Sequence, residues 1–426
     1  MNTANFTLGT DIPRAIRRRL ARALKHERKR FSDIVEARRP GYYQLRYVTS
    51  LDCLTVAAYE AWKSYPLDRR PPASMIVETA EKVSALRGSD EPVIVRIKRK
   101  GLSGYRLICA FGPENKTLQY VVAGALKARA ELHPSQYAIN RGRPAAVLAL
   151  RDALLAENCY AAELDIRNCF GSFDGEELSK TLPLPRRLIE TVVLSKNYNL
   201  QLQPISQKEI TKLKYVLSTH SEDDAEDPWK DDLDPDLGHP LLDLHAHTLP
   251  LDFFVEEARR GLPQGSALSS LTCEALLSPA IAHVSSFGAV TNYADNIVLH
   301  ATTKADLASR IETLRCSLEE LPGGPLPVKT PVIYEPGQSV AFLGYVLKPK
   351  NGQVIIEPSE KNLTTFRREF KRRWNRVLKA SAQERSQRIE SLRQYVRTWS
   401  ASFSLWHGAI GHREKHLAMV KELTQH

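Results

Sequence analysis

Three short segments constrain the fold of this chain more than any other feature of its sequence. The first is a largely apolar run, residues 161–166, which carries Asp165 near its end. The second, residues 261–266, reads Gly-Leu-Pro-Gln-Gly-Ser, and the third, residues 292–298, carries Asp295 in the string Asn-Tyr-Ala-Asp-Asn-Ile-Val. Each aspartate stands at the edge of an apolar strand pattern, where the strand itself needs no charge. Brought together by the fold, the two carboxylates would be the minimum for holding two Mg²⁺ ions.

The order of these segments resembles that of reverse transcriptases. In that superfamily an aspartate-bearing strand, a Pro-Gln-Gly turn and a Tyr-Ala-Asp hairpin follow one another, as they do here at Asp165, residues 263–265 and residues 293–295. The similarity runs from about residue 90 to residue 350 and continues more weakly through the C-terminal basic helices. It is closer to bacterial enzymes related to group II introns, retrons and phage defence than to retroviral ones. The resemblance implies an α+β fold of the right-hand polymerase type, with fingers, a palm containing an antiparallel sheet, and a helical thumb.

Local patterns divide the chain into four parts. Residues 1–90 are predicted to form a basic helical region, and residues 91–160 the fingers, which include a β-hairpin. Residues 161–350 are predicted to form the palm, with an acidic insertion at about 215–247, and residues 351–426 a basic helical thumb. The insertion is inferred from a cluster of nine acids with few apolar residues, a composition that is typical of an exposed segment.

The charge of the chain favours a polyanionic partner. The net charge is +11 and the pI about 9.3, and two basic runs occupy residues 14–30 and 359–426. The second run holds 15 Lys and Arg against 6 Asp and Glu. A single basic run is more often a solvated helical face, but two runs that flank a predicted palm indicate nucleic acid.

Hydropathy and cysteine usage bear on location. The chain has no run of about 18 apolar residues and no apolar signal region at its N-terminus, so we expect a cytoplasmic protein without membrane contact. Its six cysteines are scattered, without a Cys-x-x-Cys pair. Buried free thiols are therefore favoured over disulfides or a zinc site.

The resemblance implies that Asp165 and Asp295 hold two Mg²⁺ ions, or Mn²⁺ in their place, and that the carbonyl of Ile166 supports the second ion. The chain departs from the family at Asn296, where a second successive aspartate is usual. An amide is a weaker ligand for a hard cation. Because each strand still supplies one carboxylate, we expect an active enzyme with altered metal preference or rate. The alternative is a degenerate polymerase retained for RNA binding.

Further positions match the family's catalytic and nucleotide-binding motifs. Lys329 would protonate the leaving pyrophosphate as a general acid. Phe170 falls where the family places an aromatic ring that clashes with a ribose 2′-hydroxyl, which favours dNTPs; a core phenylalanine is the alternative. Lys98 and Arg106 on the predicted hairpin would clamp the triphosphate, although charges on a hairpin are commonly only solvated. The remaining residues assigned to nucleotide binding are Gln264, Gly265 and Tyr293.

Primer and template contacts are expected in two places. Gln119 matches a helix that packs near the template in this family, and Gly344, in Phe-Leu-Gly-Tyr, matches a hairpin that grips the primer end. The basic side of the thumb should face the duplex through Arg367, Arg368, Lys371 and Arg372.

The resemblance also implies partners and a biological setting. We expect an RNA template or non-coding RNA, a DNA primer or product, and dNTPs, in antiphage defence, with a homo-oligomer or a second defence protein also considered. Three other functions remain open at this point: template-independent or protein-primed DNA synthesis, an RNA-binding protein with an impaired active site, and an RNA-templated RNA polymerase.

Overall fold

Two units make up the fold, and each is assembled from three separate stretches of chain. The computed structural model describes residues 12–66, 70–99, 105–139, 141–155, 159–205, 251–286 and 289–423. Unit 1 comprises Met1–Pro134, Asp165–His283 and Thr313–Thr330, and unit 2 comprises Ser135–Leu164, Val284–Glu312 and Pro331–His426. The predicted acidic insertion at about 215–247 lies outside the described residues.

Strands and helices are both present. In chain order the strands are β1 (Val93–Arg99), β2 (Tyr105–Ala110), β3 (Tyr160–Asp165), β4 (Leu200–Leu202), β5 (Val290–Tyr293), β6 (Asn296–Ala301), β7 (Val332–Tyr334), β8 (Val340–Phe342), β9 (Tyr345–Lys350) and β10 (Gln353–Pro358). The α-helices of eight or more residues are Arg14–Glu36, Pro40–Val48, Leu51–Lys63, Met75–Lys82, Pro113–Lys127, Gly142–Leu154, Leu251–Ala258, Ser269–Ser285, Lys304–Glu319, Glu360–Leu378, Ala382–Ser402 and Ala409–Glu422. The α+β class with antiparallel pairing is thereby confirmed.

Unit 1 begins with helices that pack through one face. The predicted basic helix after Pro13 is confirmed as Arg14–Glu36, which buries Leu20, Ala23 and Ile34 on one side. The next long helix, Leu51–Lys63, is buried along most of its length, because helices pack against it on several sides. The fold therefore covers the apolar surface of this region and leaves most of the cations of the first helix exposed.

The sheet of unit 1 is built on the predicted hairpin. β1 and β2 pair antiparallel in a register that sets Lys98 opposite Arg106, and β4 joins β1 in parallel. One face carries Val93, Val95 and Cys109 into an apolar cluster, as the period-two alternation of a strand requires. The other face is the one that carries the exposed cations.

Unit 2 contains two sheets. β5, β6, β3 and β7 follow one another in the first, and β10, β9 and β8 form an antiparallel second sheet. Helix Gly142–Leu154 packs with both, through a cluster that includes Leu150, Val298 and Phe342. The strand that ends at Asp165 is thus a central strand, with β6 as one of its neighbours.

The C-terminal helices of unit 2 form a second core. Phe366, Val396 and Val420 come from three successive helices and are all buried in it. Four aromatic residues recur at intervals of four, four and three, which predicts core packing: Tyr395, Trp399, Phe403 and Trp406. This is confirmed, because Phe403 is buried and the other three pack against the buried clusters.

All six cysteines are free, as predicted. Five are buried, but Cys316 is exposed, so the expectation of burial is wrong for that residue. Within the described ranges, none of the helices has the combination of length and apolar character that crossing a bilayer requires.

Candidate active site

Asp165 is held at the end of β3 by backbone pairing with residues 327–329. The amide of Lys329 donates to the carbonyl of Asp165 at 3.0 Å, and the amide of Arg167 donates to the carbonyl of Pro327 at 2.8 Å. These two bonds flank Ile166, whose own carbonyl takes part in neither. The pairing fixes the direction of the Asp165 backbone and leaves its side chain 41% exposed.

The Asp165 carboxylate already faces a cation. The ammonium of Lys329 donates to Asp165 Oδ2 at 2.5 Å. An accessible carboxylate with a neighbouring backbone carbonyl is the kind of oxygen donor set that Mg²⁺ prefers, and the ammonium shows that a positive charge is accommodated there. Asp165 and the neighbouring carbonyl of Ile166 therefore fit the Mg²⁺ that the resemblance implies. In the described ranges, no group of three or more His, Cys, Asp or Glu side chains forms a denser metal site.

The Gly261 turn is joined to the segment that follows Asp165. The amide of Leu262 donates to the carbonyl of Phe170 at 2.6 Å. Gly261 has φ +56°, and a Cβ there would collide with that carbonyl oxygen. The Phe170 side chain is half-buried. The turn therefore lies against the backbone of the segment that carries Phe170.

The same turn is joined to the β-hairpin at its other end. The amide of Cys109 in β2 donates to the carbonyl of Gln264 at 2.7 Å. Gly265, at φ +108°, lies so close to the carbonyl of Cys109 that a Cβ would collide with it. Only glycine combines this backbone conformation with this approach. Three segments that are far apart in sequence thus meet through backbone hydrogen bonds.

The hairpin presents its cations together. Lys98 and Arg106 lie directly opposite one another across β1 and β2 and are both exposed, and Arg96 lies two residues before Lys98 on the same face. Within the part of the chain that the structure describes, none of the three forms an ion pair. This placement suits binding of a triphosphate.

Gln119 lies on the helix that was predicted to pack near the template. Its side chain is fully buried, its Oε1 accepts from the amide of Ala267 at 3.1 Å, and its Nε2 donates to the hydroxyl of Tyr198 at 3.4 Å. Its role at the template stays a prediction. It anchors the segment after the Gly265 turn, so its influence on a ligand would pass through that turn.

The predicted hairpin around Asp295 is confirmed in unit 2. β5 and β6 pair antiparallel, with Tyr293 opposite Asn296 and with Ala294 and Asp295 in the turn. Ala294 adopts φ +52°, a left-handed conformation that costs a non-glycine residue about 1 kcal/mol or more. Asn296 donates through Nδ2 to Asp295 Oδ1 at 3.1 Å, so it adds a hydrogen bond to the carboxylate where the family would add a charge.

Asn292 was not identified from the sequence as a residue that supports the candidate site. It is fully buried, and its Nδ2 donates to the carbonyls of Ala294 at 2.7 Å and Asn296 at 3.2 Å. Gln136, itself buried, donates to Asn292 Oδ1 at 3.2 Å. These bonds hold the turn that carries Asp295. The available signal was an amide in an apolar strand directly before Tyr-Ala-Asp.

The predicted primer and duplex residues lie together at the start of the C-terminal helices. Gly344, at φ +83°, accepts through its carbonyl from the amide of Ser359 and from Nδ2 of Asn362, each at 2.9 Å. All four predicted cations are exposed on helix Glu360–Leu378. Two of them are paired within the helix, Arg367 with Glu360 and Arg372 with Glu369, and Arg368 and Lys371 form no ion pair with a described residue.

Among comparisons with known proteins, only the one with solved structures finds similar chains. No protein-family model and no curated protein matches the sequence. Among solved structures, telomerase from Candida albicans in complex with a TWJ fragment of telomeric RNA is 12% identical over 79% of this chain and 64% of that chain, with a TM-score of 0.34. Apo telomerase from Candida tropicalis is 11% identical over 79% of this chain and 57% of that chain, with a TM-score of 0.38. The chain spans less than two thirds of either, and TM-scores this low do not establish a shared fold.

Proposed function

We propose that this chain is an RNA-directed DNA polymerase that joins dNTPs to a primer. The observation that carries the proposal is the convergence in unit 1 of the β1–β2 hairpin, the Phe170 segment and the Gly261–Gly265 turn through the Cys109–Gln264 and Leu262–Phe170 backbone bonds. Each of these segments carries a residue type that nucleotide binding needs: cations, an aromatic ring, and a glycine-lined turn. The order of the motifs in the sequence supports the same function.

Each residue has a defined task in this proposal. Asp165, Asp295 and the carbonyl of Ile166 would hold Mg²⁺ or Mn²⁺, which would supply Lewis-acid stabilisation of the attacking and leaving oxygens. Lys98 and Arg106 bind the triphosphate. The remaining nucleotide-binding residues are Phe170 at the ribose, Gln264 and Gly265 at the base, and Tyr293 in the hairpin next to Asp295.

Lys329 has two roles in the proposal. Before the metal binds, its ammonium neutralises the Asp165 carboxylate through the 2.5 Å contact. Once released from that carboxylate, the same ammonium donates a proton to the departing pyrophosphate. Gly344 and the cations Arg367, Arg368, Lys371 and Arg372 hold the primer–template duplex.

The wider setting is proposed from the resemblance alone. The protein acts in the cytoplasm in antiphage defence, with a non-coding RNA as template or scaffold, and with a second copy or another defence protein as partner. Template-independent or protein-primed synthesis would use the same active site and differ in the product.

The experiment is to purify the protein with its accompanying nucleic acid, add Mg²⁺ and labelled dNTPs, and sequence the product beside an Asp295→Ala control. DNA that copies a co-purifying RNA and is absent from the control supports the proposal. DNA without a complementary RNA supports template-independent or protein-primed synthesis. No product with either Mg²⁺ or Mn²⁺, and with candidate partners added, contradicts polymerase activity.

A second candidate function, an RNA-binding protein with an impaired active site, is favoured by Asn296. Restoring the second carboxylate with Asn296→Asp distinguishes the two. An active polymerase should gain a modest increase in rate or a changed ratio of its Mg²⁺-dependent to its Mn²⁺-dependent rate, whereas a protein that has lost catalysis altogether stays inactive in both forms.

The alternative of an RNA-templated RNA polymerase is tested by Phe170→Ala. If the ring excludes the 2′-hydroxyl, its removal should raise NTP use relative to dNTP use by about 10- to 200-fold.

A further inference from the structure

Helix Arg14–Glu36 presents a continuous row of cations to solvent. The exposed cations of this helix, which we call the basic stripe, are Arg14, Arg18, Arg22, Lys25, Arg28 and Lys29. Most of them recur at intervals of three or four residues, so they lie on one face at about 100° per residue. The opposite face buries Leu20, Ala23 and Ile34. The stripe is therefore fixed in direction by the core of unit 1.

The charges of the stripe are not neutralised by neighbours. Within the described ranges, its six side chains form no ion pair. The helix does have paired charges, but they point elsewhere: Arg19 binds Glu81 at 2.8 Å and His26 binds Asp52 at 2.7 Å. The two acids on the C-terminal part of the helix, Asp33 and Glu36, come after the last stripe residue.

The dimensions of the stripe match a phosphate backbone. From Arg14 to Lys29 the helix rises roughly 22 Å, at about 1.5 Å per residue. Each strand of a nucleic-acid duplex carries one phosphate per about 3.4 Å, so roughly six phosphates fall within this length. Six cations on a rigid helix thus face a comparable number of phosphates, and none of them has to give up an ion pair within the described residues in order to bind.

A membrane surface fits this face less well. A helix that lies in a membrane interface places large apolar side chains beside its cations. Between Arg14 and Lys29 the large apolar residues are buried or half-buried, and the exposed apolar residues are Ala15 and Ala21. The exposed Val35 comes six residues after the last stripe residue. The exposed surface is therefore charged without an apolar flank.

We propose that the basic stripe is a docking surface for the phosphate backbone of RNA, outside the active site. The charge and spacing indicate a nucleic-acid backbone without reference to catalysis, whereas the choice of RNA rests on the proposed function. Contacts of this kind position a strand and do not read its bases.

The test measures the salt dependence of RNA binding by the full-length chain. The probe is an RNA hairpin, and the affinity of the wild type is compared with that of the variant Arg18→Gln, Arg22→Gln, Lys25→Gln, Lys29→Gln. Loss of four phosphate contacts should reduce the slope of log affinity against log salt by about 3 to 4. The loss of affinity between about 50 and 200 mM salt should then be about 100-fold smaller than for the wild type.

Two control variants test whether the change in slope is caused by the charge and the position of the stripe. Arg18→Lys, Arg22→Lys, Lys25→Arg, Lys29→Arg keeps the charges and should keep the slope. Lys180→Gln, Arg186→Gln, Lys196→Gln, Lys304→Gln removes four exposed charges outside both basic runs and should also keep it. An equal fall in the slope for this last variant overturns the proposal, because net charge would then be the cause. A stripe variant that loses binding to phosphatidylserine vesicles and not to RNA also overturns it.

The results distinguish failure of the docking-surface proposal from failure of the polymerase proposal. If the wild type incorporates no dNTP but the stripe variant loses salt-dependent RNA binding, the docking surface stands and the polymerase proposal fails. If the wild type synthesises DNA and the stripe variant binds the hairpin with an unchanged slope, the docking surface is wrong and the polymerase proposal stands.

Discussion

Asp165 and Asp295 are placed by opposite means. Asp165 ends a strand, is accessible, and is paired with the charged side chain of Lys329 at 2.5 Å. Asp295 lies in a turn that is supported from beneath by the buried amides of Asn292 and Gln136. The carboxylate of Asp165 thus lies beside an ammonium and close to solvent, whereas the turn that carries Asp295 is held by buried amides.

The difference between the two surroundings indicates which property a substitution near each aspartate should change. A partly exposed ion pair contributes little to stability, about 0–1 kcal/mol, but it sets the local charge that an incoming cation or phosphate meets. A buried amide that leaves partners unsatisfied when it is removed costs much more. Substitutions around Asp165 should therefore change binding and rate, and substitutions around Asp295 should change folding as well.

The largest effect on dNTP incorporation is expected from the two aspartates themselves, because the proposed mechanism gives them the same task. Asp165→Asn and Asp295→Asn should each lower dNTP incorporation by at least about 10³-fold, because each removes a carboxylate on which the same chemistry depends. Single-turnover primer extension measures this. Asp174→Asn is the control: Asp174 caps a short helix by accepting from the amides of Glu176 and Glu177, and asparagine caps as well, so activity should be unchanged. A strong loss for only one of the two aspartates would break the equivalence.

The next effect tests the electrostatic side of the comparison. Lys329→Met should lower the incorporation rate at saturating Mg²⁺ by about 10²-fold, because a general acid is lost. It should also lower the Mg²⁺ concentration at half-maximal rate, because no ammonium competes for Asp165. Lys304→Met, which removes an exposed lysine paired with Glu335 at 3.4 Å, should change neither value. An unchanged Mg²⁺ midpoint for Lys329→Met would mean that the contact with Asp165 does not regulate metal binding.

The buried amides that support the Asp295 turn are tested by the free energy of unfolding. Asn292→Ala removes the donors to Ala294 and Asn296 and leaves Gln136 without its acceptor, so the free energy of unfolding should fall by about 2–3 kcal/mol. Urea denaturation measures this. Asn296→Ala, in the same hairpin but less buried, should cost less than about 1 kcal/mol. Similar costs for both would show that the buried network does not support the turn.

The last effect appears only at low pH and concerns β6. Burial, with a contribution from the charge of Arg310, lowers the pKa of His300 to about 4, below its ordinary value of 6.5. The unfolded chain therefore binds a proton at His300 between pH 6.5 and 4 that the folded chain does not, so stability is lost as the pH falls through this range. The loss should reach on the order of 2–3 kcal/mol at the lower end. Thermal melts of His300→Gln should be less sensitive to acid than those of the wild type, and equal sensitivity would contradict this account.

The sequence predicted those features that depend on short stretches of chain. The β1–β2 and β5–β6 hairpins and the basic helix after Pro13 each follow from local periodicity and turn residues. The requirement for glycine at Gly261 and Gly265 was visible only as a motif. Its cause, the approach to the carbonyls of Phe170 and Cys109, depends on tertiary structure.

Other features depend on pairs of residues that no local pattern connects. Lys329 meets Asp165 across 164 positions, and Gln136 meets Asn292 across 156. Gln119 matches a helix that packs near the template in the family, and its contact with the segment at Ala267 follows only from the tertiary structure. Register and burial decide these cases, and neither is determined until distant segments pack.

We propose that Asp165 and Asp295 serve one metal-binding site. This proposal is tested most directly by electron paramagnetic resonance titration of Mn²⁺ into the wild type, Asp165→Asn, Asp295→Asn and the double variant, with binding constants as the readout. We predict that either single substitution weakens binding strongly and that the double variant is little worse than either one. Two independent, additive losses would contradict a shared site.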